Sequence, residues 1–155
     1  MAAKTEPHLL GPTAAILLIG EEILSGKVDD QNAKFLLREL RALGVSVRRI
    51  EVIPDERDEI AHAVAAMSAR YDHVFTSGGV GATHDDVTLP AVAQAFGMAL
   101  GRRPELETLI RATFGSEFHE RDLRMADVPE GAELAVGPQG HAGAWPVVVV
   151  RNVYV

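Results

Sequence analysis

A short, unbroken run of apolar residues, Ala14 to Ile19, ends abruptly at Gly20 near the start of the chain. A strand with one solvent-facing side alternates apolar and polar residues, whereas a parallel strand buried on both faces is apolar throughout. The run is also too short to cross a bilayer. It therefore predicts a buried parallel strand in an α/β fold, with helices lying close over the sheet.

Helical and extended patterns alternate after this strand, which indicates a mostly parallel sheet with right-handed crossovers. Four helices are predicted. The first has Asp29 or Asp30 as N-cap and ends at Gly44, and the second follows Pro54-Asp55. The third has Thr88 as N-cap and ends at Gly97, and the fourth starts at Pro104. The predicted strands are Val45 to Ile53 with a bulge between Arg48 and Arg49, Val74 to Thr76, Ala132 to Val136, and Val147 to Val150, which turns back at Arg151-Asn152.

Length and composition predict a single domain over residues 14–155, preceded by a leader without fixed structure at residues 1–13. The net charge is −7, and Lys and Arg form no basic stripe, which argues against a nucleic-acid partner. A small anionic ligand is compatible with this charge, because backbone N–H groups and a metal ion supply local positive charge. No stretch predicts a membrane span, and the absence of Cys excludes thiolate chemistry and agrees with a cytoplasmic location.

The segment that carries the chemistry begins where the third strand runs straight into Gly78, Gly79 and Gly81. Glycines after a strand let backbone N–H groups approach a phosphate without interference from a Cβ atom. A plain structural turn explains the same glycines equally well. The pattern is neither the G-x-G-x-x-G fingerprint nor a P-loop, so a Rossmann dehydrogenase and a P-loop kinase are disfavoured.

Two adjacent carboxylates, Asp85 and Asp86, follow these glycines. They would repel an anionic ligand unless a divalent cation lay between them, and Mg²⁺ typically takes one or two carboxylates plus phosphate oxygens. The alternative is that they cap a turn or the following helix. Asp55 has the same two interpretations, a helix cap or a metal-binding or basic group.

The carboxyl ends of parallel strands lie at one edge of a sheet, where ligands bind in open α/β folds. The segments after Ile19, Ile53 and Phe75 should therefore converge there. This prediction brings Glu21 and Glu22 close to the aspartates, although a solvated glutamate pair is the simpler interpretation. Single basic residues, Lys27 and Arg57, are either phosphate contacts or solvated, and His84 is either solvated or a proton-transfer group. Zinc-protease spacing and a G-x-S-x-G elbow are absent from the sequence.

Several of these segments resemble the MoaB/Mog family of molybdopterin-binding domains, and most closely the amino-terminal domain of CinA and the matching domain of eukaryotic FAD synthases. The resemblance covers roughly residues 14–155, in order. The segments that carry it are Ile19 to Gly26, Asp30 to Ala33, Val52 to Asp55, Thr76 to Thr88 and Arg124 to Ala132.

The resemblance implies a three-layer αβα fold with a small C-terminal β-hairpin, and a pocket for molybdopterin or a similar phosphorylated ligand. In cofactor-synthesis members, aspartates matching Asp55 and Asp86 serve adenylylation of molybdopterin or metal insertion, with Mg²⁺. In the CinA-like branch, the same pocket is associated with metal-dependent cleavage of ADP-ribose or related pyrophosphates. Members are commonly homo-oligomers, so we expect one here.

The sequence departs from the family pattern at four places. Glu21 stands where the branch usually has Asp, Ala82 where it has Pro, and the loop from Gly140 to Ala144 where it has Gly-Thr-Ala-Pro-Gly. The chain ends at Val155, where the family continues with Leu-Pro-Gly and often a second domain. We therefore expect a stand-alone or truncated domain, or a pocket that lacks one part.

Three functions follow as hypotheses: a pterin-binding domain of molybdenum cofactor synthesis or related nucleotide metabolism, a metal-dependent nucleotide pyrophosphatase, and a non-catalytic binding module. The predicted catalytic residues are Asp55 and Asp86, and the predicted metal ligands are Asp55, Asp85 and Asp86. The predicted ligand-binding residues are Gly20, Glu22, Thr76, Ser77, Gly78, Gly79, Gly81, Thr83, Asp85 and Thr88.

Overall fold

The computed structural model describes residues 11–137 and 145–155. The strands are β1 Thr13–Ile19, β2 Ser46–Ile53, β3 His73–Ser77, β4 Leu100–Arg102, β5 Asp127–Pro129, β6 Glu133–Ala135, β7 Val147–Val150 and β8 Val153–Tyr154. The helices are α1 Glu21–Leu24, α2 Asn32–Ala42, α3 Arg57–Arg70, α4 Thr88–Phe96 and α5 Pro104–Phe114, and two 3₁₀ segments cover Gly115–Glu117 and Glu120–Ala126. None of the described helices is long and apolar enough to cross a membrane.

The central sheet has six strands in the order β2-β1-β3-β8-β7-β6. Strand β1 pairs in parallel with β2 and β3, and β3 pairs in parallel with β8. Strand β7 runs antiparallel to both β8 and β6, and the turn at Arg151 closes the predicted C-terminal hairpin. The mostly parallel sheet is confirmed. A second, small sheet pairs β4 with β5.

Strand β1 is the centre of the fold because both of its faces are buried. Ala15, Leu17 and Ile19 pack into the larger core, which includes residues of α3, α4 and α5. Ala14, Ile16 and Leu18 pack on the opposite face against α2 through Leu40. Full burial of each large aliphatic side chain contributes about 1.5–3 kcal/mol. The unbroken apolar run thus follows from helices on both faces, and the three-layer αβα arrangement is confirmed.

Several local predictions are confirmed by particular contacts. The register of β1 against β2 shifts between Ala14 and Ala15, which leaves Arg48 as the extra residue of a bulge where the sequence predicted one. The N-cap residue of α2 is Gln31, one residue after the predicted Asp29 or Asp30. The Asp30 carboxylate nevertheless accepts hydrogen bonds from the backbone N–H groups of Asn32 and Ala33 at the start of the helix. Gly97, at φ +65°, ends α4 in the left-handed conformation that favours glycine.

Other elements differ from the sequence-based prediction. The polar stretch after β1 contains the short helix α1, and the β4–β5 pair was missed because three-residue strands are too short to show a period. Strand β1 begins at Thr13, one residue before the apolar run, because the N–H and hydroxyl of Thr13 both donate to Asp72 Oδ2 at 2.7 Å. Thr88 was predicted as the N-cap of α4 but is its first helical residue, and its side chain bonds elsewhere.

Candidate functional site

The glycine-rich segment lies at the topological switch point of the sheet, where successive strands are added on opposite sides of β1. The chain leaves β1 for β2 on one side and later enters β3 on the other side of β1. The carboxyl ends of β1 and β3 therefore border the crevice in which open α/β sheets bind ligands. Gly78, at φ +105°, passes so close to the end of β1 that a Cβ atom there would collide with the carbonyl oxygen of Ile19. Glycine is required at this position by both space and backbone conformation.

Gly79 is enclosed by the ends of three elements. It has φ +62°, and a Cβ atom built on it would lie 2.5 Å from Thr88 Oγ1 and 3.5 Å from Asp55 Oδ1. The Thr88 hydroxyl donates to the Gly78 carbonyl at 2.8 Å, and the Thr88 N–H donates to the Gly79 carbonyl at 3.0 Å. In residues 11–137 and 145–155, no hydrogen bond uses the N–H of Gly79 or Val80 as donor. The segment thus has its carbonyls tied to α4 and two amides free for a ligand.

Asp55 joins the ends of β2 and β1. Its Oδ2 accepts a hydrogen bond from the N–H of Glu21 at 3.0 Å. The N-cap residue of α3 is Glu56, which makes no side-chain capping bond, so Asp55 connects two loops of the crevice and does not cap α3. This contact holds its carboxylate beside Gly79, as the sequence argument predicted.

Asp86 folds back onto its own loop. Its Oδ2 accepts from the Thr83 N–H at 2.8 Å and from the Thr83 hydroxyl at 2.5 Å. Partial burial by itself would raise the pKa of Asp86, but bonds from the Thr83 hydroxyl and the Gly81 and Thr83 backbone, with the charge of Arg124, lower it below an aspartate's ordinary value. Asp86 is therefore ionised at neutral pH, which suits it to charge stabilisation and not to proton donation.

These residues border an open cleft of about 610 Å³. Most of its charged groups are carboxylates, with Lys27 as the one basic side chain among the residues described as lining it. An anion in such a cleft would be repelled unless positive charge accompanied it. The lining residues are Glu21, Glu22, Ser25, Lys27, Pro54, Asp55, Glu56, Gly79, Asp85 and Asp86.

The predicted metal site does not form as a set of three carboxylates. Within the part of the chain that the structure describes, no group of three or more His, Asp or Glu side chains is arranged to hold a metal ion. Asp55 Oδ2 and Asp86 Oδ2 are already hydrogen-bonded to backbone N–H groups. Asp55, Asp85 and Asp86 line the same cleft without forming a set of three metal ligands.

Several of the remaining predicted residues make hydrogen bonds within the protein. Thr76 Oγ1 donates to the Tyr154 carbonyl at 3.4 Å, and Ser77 Oγ accepts from Asn32 Nδ2 at 2.7 Å. The N–H of Gly20 donates to the Ile53 carbonyl at 3.0 Å. Of the predicted ligand-binding residues, Glu22, Gly79 and Asp85 line the cleft, and Gly20, Thr76, Ser77, Gly78, Gly81, Thr83 and Thr88 do not.

Of the other residues that the sequence suggested as ligand contacts or proton-transfer groups, one lines the cleft and two are exposed to solvent. Lys27 lines the cleft, whereas Arg57 is the exposed first residue of α3. His84 Nε2 lies 3.0 Å from Asp85 Oδ1 with 88% of its side chain exposed, which fits the solvated interpretation. The predicted loop from Gly140 to Ala144 lies outside the described residues.

Sequence reasoning missed two charged residues beside the glycine segment. Arg124 and Asp127 line a smaller cavity of about 110 Å³ that shares Gly79 and Asp86 with the acidic cleft. Arg124 lies in the 3₁₀ segment Glu120–Ala126 and Asp127 begins β5 directly after it, so neither follows a parallel strand whose end would predict its place at this edge. The one sequence signal for them is the segment Arg124 to Ala132, which resembles the family but does not predict where either side chain lies.

The sheet order and the glycine segment between β1 and β3 define a small-ligand-binding α/β domain of the doubly wound class. Residues 15–153 match the family described as "Probable molybdopterin binding domain". The chain belongs to this family, and within it is similar to CinA.

Similarity to individual proteins agrees with this assignment. The structure of CinA from Thermoplasma acidophilum superposes with a TM-score of 0.79 at 30% identity, over 93% of this chain and 86% of that one. A "Probable FAD synthase" of Caenorhabditis elegans is 39% identical over 91% of this chain and 31% of its own length. A "CinA-like protein" of Anaeromyxobacter dehalogenans is 37% identical over 88% of this chain and 34% of its own length. The chain therefore spans about a third of these two relatives.

Proposed function

We propose that this domain binds a phosphorylated pterin, or a related nucleotide, with its phosphate at the free N–H groups of Gly79 and Val80. The observation that carries the proposal is the position of Gly79 at the crevice between β1 and β3, beside Asp55 and Thr88. Backbone N–H groups that lack partners bind oxyanions well. Membership of the molybdopterin-binding family favours a pterin as the ring system.

The acidic cleft beside this loop suggests how Mg²⁺ takes part. Because no complete metal site exists in the described residues, Mg²⁺ would take one or two of the carboxylates and fill its other positions with phosphate oxygens and water. The carboxylates available to it are Asp55, Asp85 and Asp86, of which it would take one or two, and the ion would neutralise phosphate charge. Metal and ligand should therefore bind together.

A thermal-shift panel tests the proposal. Molybdopterin, AMP, ATP, ADP-ribose and FAD are each added with and without Mg²⁺, and the Tm is measured. A ligand present at 100 times its Kd stabilises the folded state by about 2.7 kcal/mol, which is a clear rise in Tm. Unchanged Tm with every phosphorylated compound would leave the non-catalytic module as the better proposal.

Asp86 is proposed as the catalytic carboxylate in ATP-dependent adenylylation of the pterin, within molybdenum cofactor synthesis. In that step a phosphate oxygen of the pterin attacks the α-phosphorus of ATP, the bond from that phosphorus to the leaving phosphate oxygen breaks, and pyrophosphate is released. The lowered pKa of Asp86 keeps its carboxylate ionised and makes it a weak base, so its role would be to orient the reacting groups through its charge. Asp86→Asn should abolish formation of adenylylated pterin while binding persists. Asp29→Asn, an exposed aspartate outside the cleft, is the control and should react as the wild type does.

Pyrophosphate hydrolysis is a second candidate, favoured by the six carboxylates among the cleft's lining residues. The substrates would be ADP-ribose or FAD-like nucleotides. Incubation of the protein and substrate with Mg²⁺, Mn²⁺ or Co²⁺ should then release AMP, which chromatography detects. Intact ADP-ribose and FAD under all three metals would eliminate this candidate.

A further inference from the structure

We infer that Arg124 is the side chain that holds the ligand's phosphoryl group over the glycine segment, from the small cavity next to the acidic cleft. The inference rests on the proposed function and adds the residue that selects for a phosphorylated ligand. It concerns a part of the chain, the 3₁₀ segment Glu120–Ala126, that contributes nothing to the acidic cleft.

The first observation is the position of Arg124. It lines the small cavity together with Gly79, Val80 and Gly81, the stretch that contains the two free N–H groups. Its charge also reaches Asp86, whose pKa it helps to lower. The cavity volume of about 110 Å³ suits a phosphoryl group and not a fused ring. Arg124 is an exposed residue at the lining of this cavity, so its guanidinium is accessible to a ligand and, with the two free amides, provides donors for an oxyanion.

The second observation is that Arg124 has no carboxylate of its own. The nearby arginines do have one: Arg102 holds Asp127 through two hydrogen bonds of 2.8 and 2.9 Å, Arg103 holds Glu105, and Arg111 holds Glu107. Among the described residues, no acidic oxygen lies within 4.0 Å of the Arg124 guanidinium nitrogens.

Charge balance in the cavity follows from these pairs. Asp127, the other acidic residue lining this cavity besides Asp86, is paired with Arg102. Asp86 keeps its negative charge, because the hydrogen bonds from Thr83 come from neutral donors. The guanidinium of Arg124 therefore carries positive charge that the protein does not match at contact distance. Beside a cleft that is otherwise acidic, it is the group that would draw the anionic end of a ligand into the small cavity.

Arg121 provides a matched control. It lies on the same 3₁₀ segment, 73% of its side chain is exposed, and it is not among the residues described as lining the small cavity. Its nearest carboxylate oxygen, of Asp122, is 3.9 Å away. Removing its charge changes the net charge of the segment by the same amount as removing that of Arg124.

The test is calorimetric titration of ADP-ribose and inorganic pyrophosphate into the wild type, Arg124→Gln, Arg124→Lys and Arg121→Gln, at low and high salt with Mg²⁺. We expect Arg124→Gln to weaken binding of both probes about 10- to 100-fold, as for loss of a charged hydrogen bond. Arg124→Lys should lose less, Arg121→Gln should bind within about twofold of the wild type, and the salt dependence should become shallower in Arg124→Gln. Circular dichroism checks that each variant is folded.

The outcomes separate this inference from the proposed function. A wild type that binds the probes and an Arg124→Gln variant that binds them equally well would overturn the role of Arg124 alone. Equal losses in Arg124→Gln and Arg121→Gln would also overturn it, since general charge would then explain the effect. A wild type that binds neither probe would overturn the inference, and together with an unchanged Tm for every compound of the thermal-shift panel it would overturn the proposed function as well.

Discussion

Single residues at the glycine segment combine two separate requirements, backbone conformation and space. Gly79 and Gly97 have nearly the same left-handed φ, +62° and +65°. A Cβ atom on Gly79 would press against Thr88 Oγ1, whereas one on Gly97 meets nothing within 4 Å. The two positions therefore separate the cost of strain from the cost of the clash.

Gly97→Ala should lose only the backbone preference, about 1–2 kcal/mol, and should bind ligand as the wild type does. Gly79→Ala should lose more than Gly97→Ala and should no longer give a thermal shift with phosphorylated ligands, because Thr88 and the loop must move. Urea denaturation measures the free energy of unfolding of both variants. Equal losses of stability with binding retained in both would contradict this account of Gly79.

The charge of Asp86 predicts an acid limit to stability. Its pKa is lower in the folded protein than the ordinary 3.8, so the stabilisation is present above 3.8 and is lost as pH falls through the folded value. Asp86→Asn should therefore show a shallower fall in unfolding free energy below pH 4 than the wild type. Asp72 and Glu105 also have lowered pKa values and remain in both proteins, so the difference between the two curves isolates Asp86.

At the scale of elements, the site is held by bonds between the end of one element and the start of another. Asp55 connects β2 to α1, and Thr88 connects α4 to the loop after β3. Thr88 is completely buried, so its hydroxyl has no water to replace a lost partner.

Thr88→Val keeps the shape of this side chain but removes the donor to the Gly78 carbonyl. The expected loss is about 1–3 kcal/mol of unfolding free energy, with weaker ligand binding because the loop is released from α4. Thr88→Ser keeps the hydroxyl and is the control for binding. Affinity in Thr88→Val equal to that of the wild type would show that the loop holds its conformation without α4.

The sequence predicted helices and strands correctly where an apolar or helical pattern was long. The predictions failed where an element or cap depends on contacts between residues distant in sequence. Strand β1 was found from its apolar run and α2 from its helical period, with Asp30 before it and Gly44 after it. The role of Thr88 was predicted wrongly, because Ser and Thr before a helix normally cap it, whereas this hydroxyl faces a carbonyl brought in by the sheet. Strands β4 and β5 are separated in sequence by α5, and only their pairing with each other in the structure identifies them as strands.

For the whole molecule, the cleft and the small cavity differ in their charged groups: six carboxylates and Lys27 line the cleft, whereas Asp86, Asp127 and Arg124 line the cavity. This difference predicts that the metal binds only together with the ligand. The cleft is acidic but has no complete metal site among the described residues. Mg²⁺ alone should therefore change the Tm little, whereas Mg²⁺ with ADP-ribose should raise it by more than the sum of the separate shifts. Ca²⁺ and NaCl at matched ionic strength control for screening. A full shift with Mg²⁺ alone would indicate a preformed metal site.

The sequence by itself determined the strands of the central sheet, the main helices and the glycine segment, because these depend on local periodicity and on backbone freedom. It also placed Asp55 and Asp86 at the edge where Gly79 lies, since parallel strands end together. Only the tertiary structure decided which groups remain free there. Thr88 and Asp55 are occupied by backbone partners, whereas Arg124, from a distant 3₁₀ segment, has no carboxylate beside it in the described residues. Such pairings depend on distances between elements, which no local pattern encodes.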